Sequence, residues 1–125
     1  MQIESDKLQL LMEIGLLAAG QGMGKEAETI FRALEAARPD SELPLIGRAI
    51  MHMNLSKNDM AILNLRSALL KNPNSELAMA FLGFALKSMG MNEASENALR
   101  QVTELQEDNA ATALASAMLS EHSTS

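Results

Sequence analysis

The apolar positions of this chain fall in seven helix-length blocks, separated by short runs of turn residues. The pattern predicts helices over about 4–20, 24–37, 42–54, 58–71, 75–89, 91–105 and 109–120. The punctuation between them is specific. GQGMG turns the chain after the first block, and the second and fourth end before Pro39 and Pro73. Asp40 or Ser41 is expected to cap the third helix, and Pro44 is tolerated in its first turn. Ser75 caps the fifth, Gly90 terminates it, and Asp108 or Asn109 caps the seventh. The third and fifth blocks, ELPLIGRAIMHMNL and ELAMAFLGFALKSMG, are apolar nearly all round. Both faces of such a helix must be covered by something.

The blocks repeat. Gly22/Ser56, Ala27/Ala61, Phe31/Leu65, Leu34/Ala68 and Pro39/Pro73 are each 34 residues apart, and Gly90, Ser95, Leu99, Val102 and Glu107 continue the series. A period of 34 with two helices per unit is that of the tetratricopeptide repeat. The chain resembles that family residue by residue. Repeat one carries Leu11, Ile14, Gly15, Ala18, Ala27, Phe31, Leu34 and Pro39 at the family's packing positions. Repeat two carries Leu45, Arg48, Ala49, His52, Ala61, Leu65, Ala68 and Pro73. Repeat three carries Met79, Leu82, Gly83, Leu86, Ser95, Leu99, Val102 and Glu107. Arg48, His52 and Glu107 depart from the pattern. The resemblance implies an all-α, right-handed solenoid in residues 1–125: hairpins over about 8–41, 42–75 and 76–109, then a C-terminal capping helix over about 109–120. One repeat cannot bury its own apolar face, so about three must stack. Small residues let the helices of a hairpin approach, and the bulky residue in the second helix fills the gap between hairpins.

The resemblance also assigns a surface. In this family the first helix of each hairpin lines the concave side. The residues expected to bind a partner there are Met12 and Leu16; Leu43, Ile46, Ile50 and Met53; and Leu77, Phe81 and Phe84. A contiguous exposed apolar patch marks an interaction site. An amphipathic helix can lay its i, i+3, i+4, i+7 anchors in such a groove, and methionine adapts to varied ligands. The opposing expectation is internal packing: the seventh helix, or self-association, fills the groove.

Composition narrows the classes. Of 125 residues, 47% are hydrophobic but only 2% aromatic, so the core is built from helix-favouring Leu, Ala, Met and Ile. Cysteine is absent, which excludes disulfides, thiolate metal sites and cysteine nucleophiles. The formal net charge of −6 is wrong for nucleic acid and for anionic membranes, leaving a polypeptide as the large-molecule partner. No apolar run is long enough for membrane insertion. The opening MQIESDKLQL does not read as a secretory signal, which points to the cytoplasm.

No catalytic or cofactor motif emerges, and no enzyme, cofactor or metal site is expected. Met51, His52 and Met53 bear soft ligand atoms, but adjacent helical residues project about 100° apart and do not converge. GQGMGKEA superficially resembles a phosphate loop, yet Glu26 follows Lys25 where Ser or Thr is required, and no strand precedes it. Glu26 and Glu28, like Glu93 and Glu96, sit at helix starts, where carboxylates favour the dipole. The carboxylate clamp of Hsp70 and Hsp90 co-chaperones uses basic and Asn side chains on the concave face. The matching positions here are Met12, Leu16, Ile46, Ile50, Asn54 and Phe81, so the basic clamp is missing.

In length, acidity and the opening LLMEIGLLAAGQGMGKEAETIFRALEAARPDS, the chain resembles the needle-subunit chaperones of bacterial type III secretion systems. That resemblance implies a cytoplasmic chaperone that sequesters an amphipathic helix of a secreted subunit in an apolar concave groove, often beside a second small co-chaperone. The translocator chaperones of the same systems are the longer branch. The competing class is a self-associating or scaffold repeat module without chaperone activity.

Overall fold

The computed structural model describes residues 5–104, 114–115 and 117–119. Six helices run through it: α1 (Ser5–Gly20), α2 (Gly24–Ala37), α3 (Leu43–Asn54), α4 (Asn58–Lys71), α5 (Glu76–Ser88) and α6 (Asn92–Glu104). They pair as hairpins α1–α2, α3–α4 and α5–α6, and each hairpin stacks on the next. Residues 114–115 and 117–119 are also helical. They follow the third hairpin, as the capping-helix expectation requires, and the remainder of that stretch lies outside the described residues. Asp108, Asn109 and Glu107 lie there too.

The 34-residue step is written into the backbone. Gly22, Ser56 and Gly90 have positive φ, at 77°, 59° and 78°. In each turn the next residue donates its N–H to a carbonyl five residues back: Met23 to Ala18, Lys57 to His52, Met91 to Leu86. A left-handed residue followed by this six-to-one bond satisfies carbonyls that the ending helix leaves open. Helix starts vary more. Ser75 Oγ accepts from Ala78 N at 3.2 Å, as expected of a cap. At α3 the expectation is displaced: Glu42 holds the cap position without a side-chain bond, while Ser41 Oγ accepts from Leu43 N. Ser41 therefore closes a local turn just ahead of the helix.

Phe31 shows how the hairpins close on one another. It is fully buried. A Cβ placed on Gly15 of α1 would lie 2.7 Å from its ring, and one on Gly47 of α3 would come closer still. Only hydrogen at those two positions lets one aromatic ring sit against both helices. Leu99 does the same against Gly83, where an added Cβ would meet it at 2.6 Å. Ser95 fits beneath by donating its hydroxyl to Gly83 O at 2.7 Å.

The two departures from the repeat pattern in α3 are polar contacts. Arg48 Nη2 donates to Glu28 Oε1 at 2.7 Å and Nη1 donates to Glu35 Oε2 at 3.2 Å, tying α3 to α2. The hydrogen bond from Arg48, reinforced by its charge and by Arg32, holds the Glu28 carboxyl below its ordinary range against the opposing effect of burial. His52 Nδ1 meets Asn64 Oδ1 at 2.6 Å across the α3–α4 hairpin. That contact accounts for the histidine as a packing residue.

Candidate functional site

The first helices of the three hairpins, α1, α3 and α5, carry the residues expected to face a partner. Leu43, Leu77 and Phe84 are exposed, at 44%, 36% and 41%. Met12, Leu16, Ile50, Met53 and Phe81 are half-buried. Met12 and Leu16 lean on the core of the first hairpin, and Ile50, Met53 and Phe81 on the core shared by α3, α4 and α5. Each has one side anchored and one side presented to solvent. Such side chains are pre-positioned, so a ligand need not order them on binding.

Ile46 is placed differently. It is 1% exposed and belongs to the core cluster of α3, α4 and α5. Its counterpart 34 residues on, Ala80, is fully buried as well, packed with Leu99, Val102, Ala115 and Met118. This position lies on the seam between successive hairpins, so Ile46 backs the groove and does not line it. Asn54 is also engaged: its Nδ2 donates to Ala19 O at 3.2 Å, joining the ends of α3 and α1.

A hollow of about 500 Å³ opens where α1, the end of α2 and the start of α3 meet. Met12 and Leu43 line it with Leu8, Gln9, Glu13, Leu34, Arg38, Ser41 and Pro44. Its interior is largely apolar, and Glu13 and Arg38 place one charge of each sign in its wall. The contributions from α2 and the α2–α3 connection are not legible in the first helices alone. The only sequence signal for them is the Pro39 register, which brings that connection beside α1. Among the concave positions that the repeat register assigns, Lys87 is the basic one.

Among the described residues no helix is long and apolar enough to cross a membrane. No family model matches the sequence, and no curated protein matches it. Solved structures do. The first tetratricopeptide domain of Spaghetti (RPAP3), bound to the HSP90 peptide SRMEEVD, is 22% identical over 100% of this chain and 99% of that one, with a TM-score of 0.74. The type III secretion translocator chaperone SycD of Yersinia enterocolitica is 18% identical over 94% of this chain and 92% of that one, at 0.77. PcrH, in complex with the chaperone binding region of PopB, is 19% identical over 93% and 95%, at 0.74. The fold is that of a tetratricopeptide repeat domain. In that fold the first helices of successive hairpins stand side by side, as α1, α3 and α5 do here. It leaves open what the groove holds, since one fold serves many partners.

Proposed function

We propose that this chain is a holding chaperone that masks an amphipathic helical segment of a secreted polypeptide, such as a type III secretion subunit. The observation that carries this reading is the row of presented apolar side chains on α1, α3 and α5, from Met12 to Phe84. It agrees with the peptide-bound state of two structural neighbours, one holding a region of PopB and one an HSP90 peptide. The apolar lining favours the first kind of ligand. An acidic peptide such as SRMEEVD needs cations to meet its carboxylates, and the concave register offers Lys87 alone.

The mechanism is masking. A segment that drives assembly does so through its apolar stripe. Seating that stripe in the groove keeps the subunit monomeric in the cytoplasm until it is handed on. Three or four anchors at ~1.5–3 kcal/mol each, less the cost of ordering and association, suit a complex that holds and then releases. The test is affinity capture from the native host with mass spectrometry of what is retained. Wild type should retain a secreted polypeptide, and Leu43→Asp or Phe84→Asp should lose it. Both side chains are exposed, so the variants should keep the wild-type helical circular dichroism. Retention of the same polypeptide by both folded variants would refute the groove.

A further inference from the structure

The hollow between α1, the end of α2 and the start of α3 carries two charges without partners. Glu13 and Arg38 stand in its otherwise largely apolar wall. Both residues are exposed, and among the described residues neither side chain makes a hydrogen bond or an ion pair. Charged groups elsewhere on α2 and α3 are committed: Arg48 holds Glu28 and Glu35, and Lys71 also reaches Glu35. The 34-residue register does not repeat the pair. Glu13 is succeeded by Gly47 and Phe81, and Arg38 by Asn72 and Gln106. This acid and base therefore mark the first hairpin alone.

The two charges lie on opposite sides of the path a ligand helix would take. α1 and α3 run the same way, since Asn54 at the end of α3 reaches Ala19 near the end of α1. α2 returns beside α1, so Arg38 stands at the start of α1, level with Leu8 and Leu43. Glu13 stands more than one turn further along α1. A segment that spans α1, α3 and α5 crosses these helices, and so passes with Arg38 on one flank and Glu13 on the other. A stripe of apolar anchors at i, i+3, i+4 and i+7 can be laid in a groove either way round. Turning a helix end for end in the groove exchanges its two flanks. Opposite charges on the two sides of the groove therefore distinguish the two directions, where apolar anchors do not.

We propose that Glu13 and Arg38 fix the direction in which the groove takes its ligand. Given the groove proposed above, on which this rests, the bound helix seats a bulky apolar anchor in the hollow. It turns an acidic flank toward Arg38 and a basic flank toward Glu13. Exposed pairs of this kind add little affinity, but like charges brought together in the reversed pose oppose it, so their effect is on selectivity.

Two synthetic amphipathic peptides test this. Both carry leucines at i, i+3, i+4 and i+7 and a photoreactive benzophenone at the N-terminus. One has Glu along one flank and Lys along the other, and the second has the two flanks exchanged. Cross-links to the full chain, mapped by mass spectrometry, report which hairpin receives the N-terminus. The peptides should favour opposite ends of the groove, one the first hairpin and one the third, each by about tenfold. Raising salt should reduce the preference. Combining Glu13→Lys with Arg38→Glu should exchange the two patterns, and the variant should keep the wild-type circular dichroism because both residues are exposed. Peptides that bind but cross-link alike, or patterns that the charge exchange does not move, would overturn the proposal and leave the groove standing. Binding of neither peptide would overturn the groove and this proposal with it.

Discussion

Phe31 touches two glycines from different hairpins, and that contact sets how tightly the first hairpin stacks on the second. A methyl group at Gly47 would meet three ring atoms at less than 3 Å, and that ring is fully buried. Replacing glycine by alanine inside a helix normally gains about 1 kcal/mol. Overpacking of this kind costs about 1–3 kcal/mol. Gly47→Ala should therefore lower stability by up to about 2 kcal/mol in urea unfolding, and a stabilised variant would show that the ring is not clamped there. Ser56 presents the opposite case. Its φ of 59° is the same turn conformation that Gly22 and Gly90 adopt without a side chain. Ser56→Gly should raise stability by ~0.5–1 kcal/mol, because the left-handed cost of a Cβ outweighs the entropy glycine loses. The alignment of Ser56 with Gly22 and Gly90 makes this strain legible in the sequence itself. The Phe31–Gly47 contact is not, because Gly47 lies outside the positions at which the family pattern asks for a small residue.

At the scale of elements, the helix limits follow from punctuation, and they agree with expectation to within a residue or two at every described end. Prolines, left-handed turns and the Ser75 cap act within a few residues, so local sequence contains them in full. The α2–α3 contact is otherwise. Arg48 stands where the repeat pattern calls for an apolar residue, and nothing local names its partners, Glu28 and Glu35, which lie 20 and 13 residues earlier. Its effect on stability has a definite sign. The Glu28 carboxyl is held below its ordinary value of 4.5 in the folded chain. The stabilisation it provides is thus fully present above that value and is lost as pH falls through the depressed folded one. Arg48→Leu removes the main cause of the depression. Melting temperatures recorded from pH 5 down to about 3 should fall less steeply for Arg48→Leu than for wild type. Parallel curves for the two proteins would place the acid sensitivity elsewhere.

At the scale of the whole molecule, the described residues show a helical segment packed on the third hairpin and presented apolar side chains on α1, α3 and α5, and each makes its own prediction. Phe84→Asp should abolish capture of the groove's ligand while leaving the helical circular dichroism unchanged, because Phe84 is exposed. Met118→Asp should lower stability by about 2 kcal/mol or more, because it puts an unpaired carboxylate on the apolar seam that Ala80, Leu99 and Val102 form; an unchanged melt would remove residues 114–119 from the folded unit. Sequence alone determined the helices and their 34-residue step, since periodicity and turn chemistry are local and recur. Only the tertiary structure decided which apolar residues are free. Ile46 and Ile50 stand one turn apart on α3, and both seam and groove demand an apolar side chain. Burial depends on what the neighbouring hairpin places against each one, and that neighbour is distant along the chain.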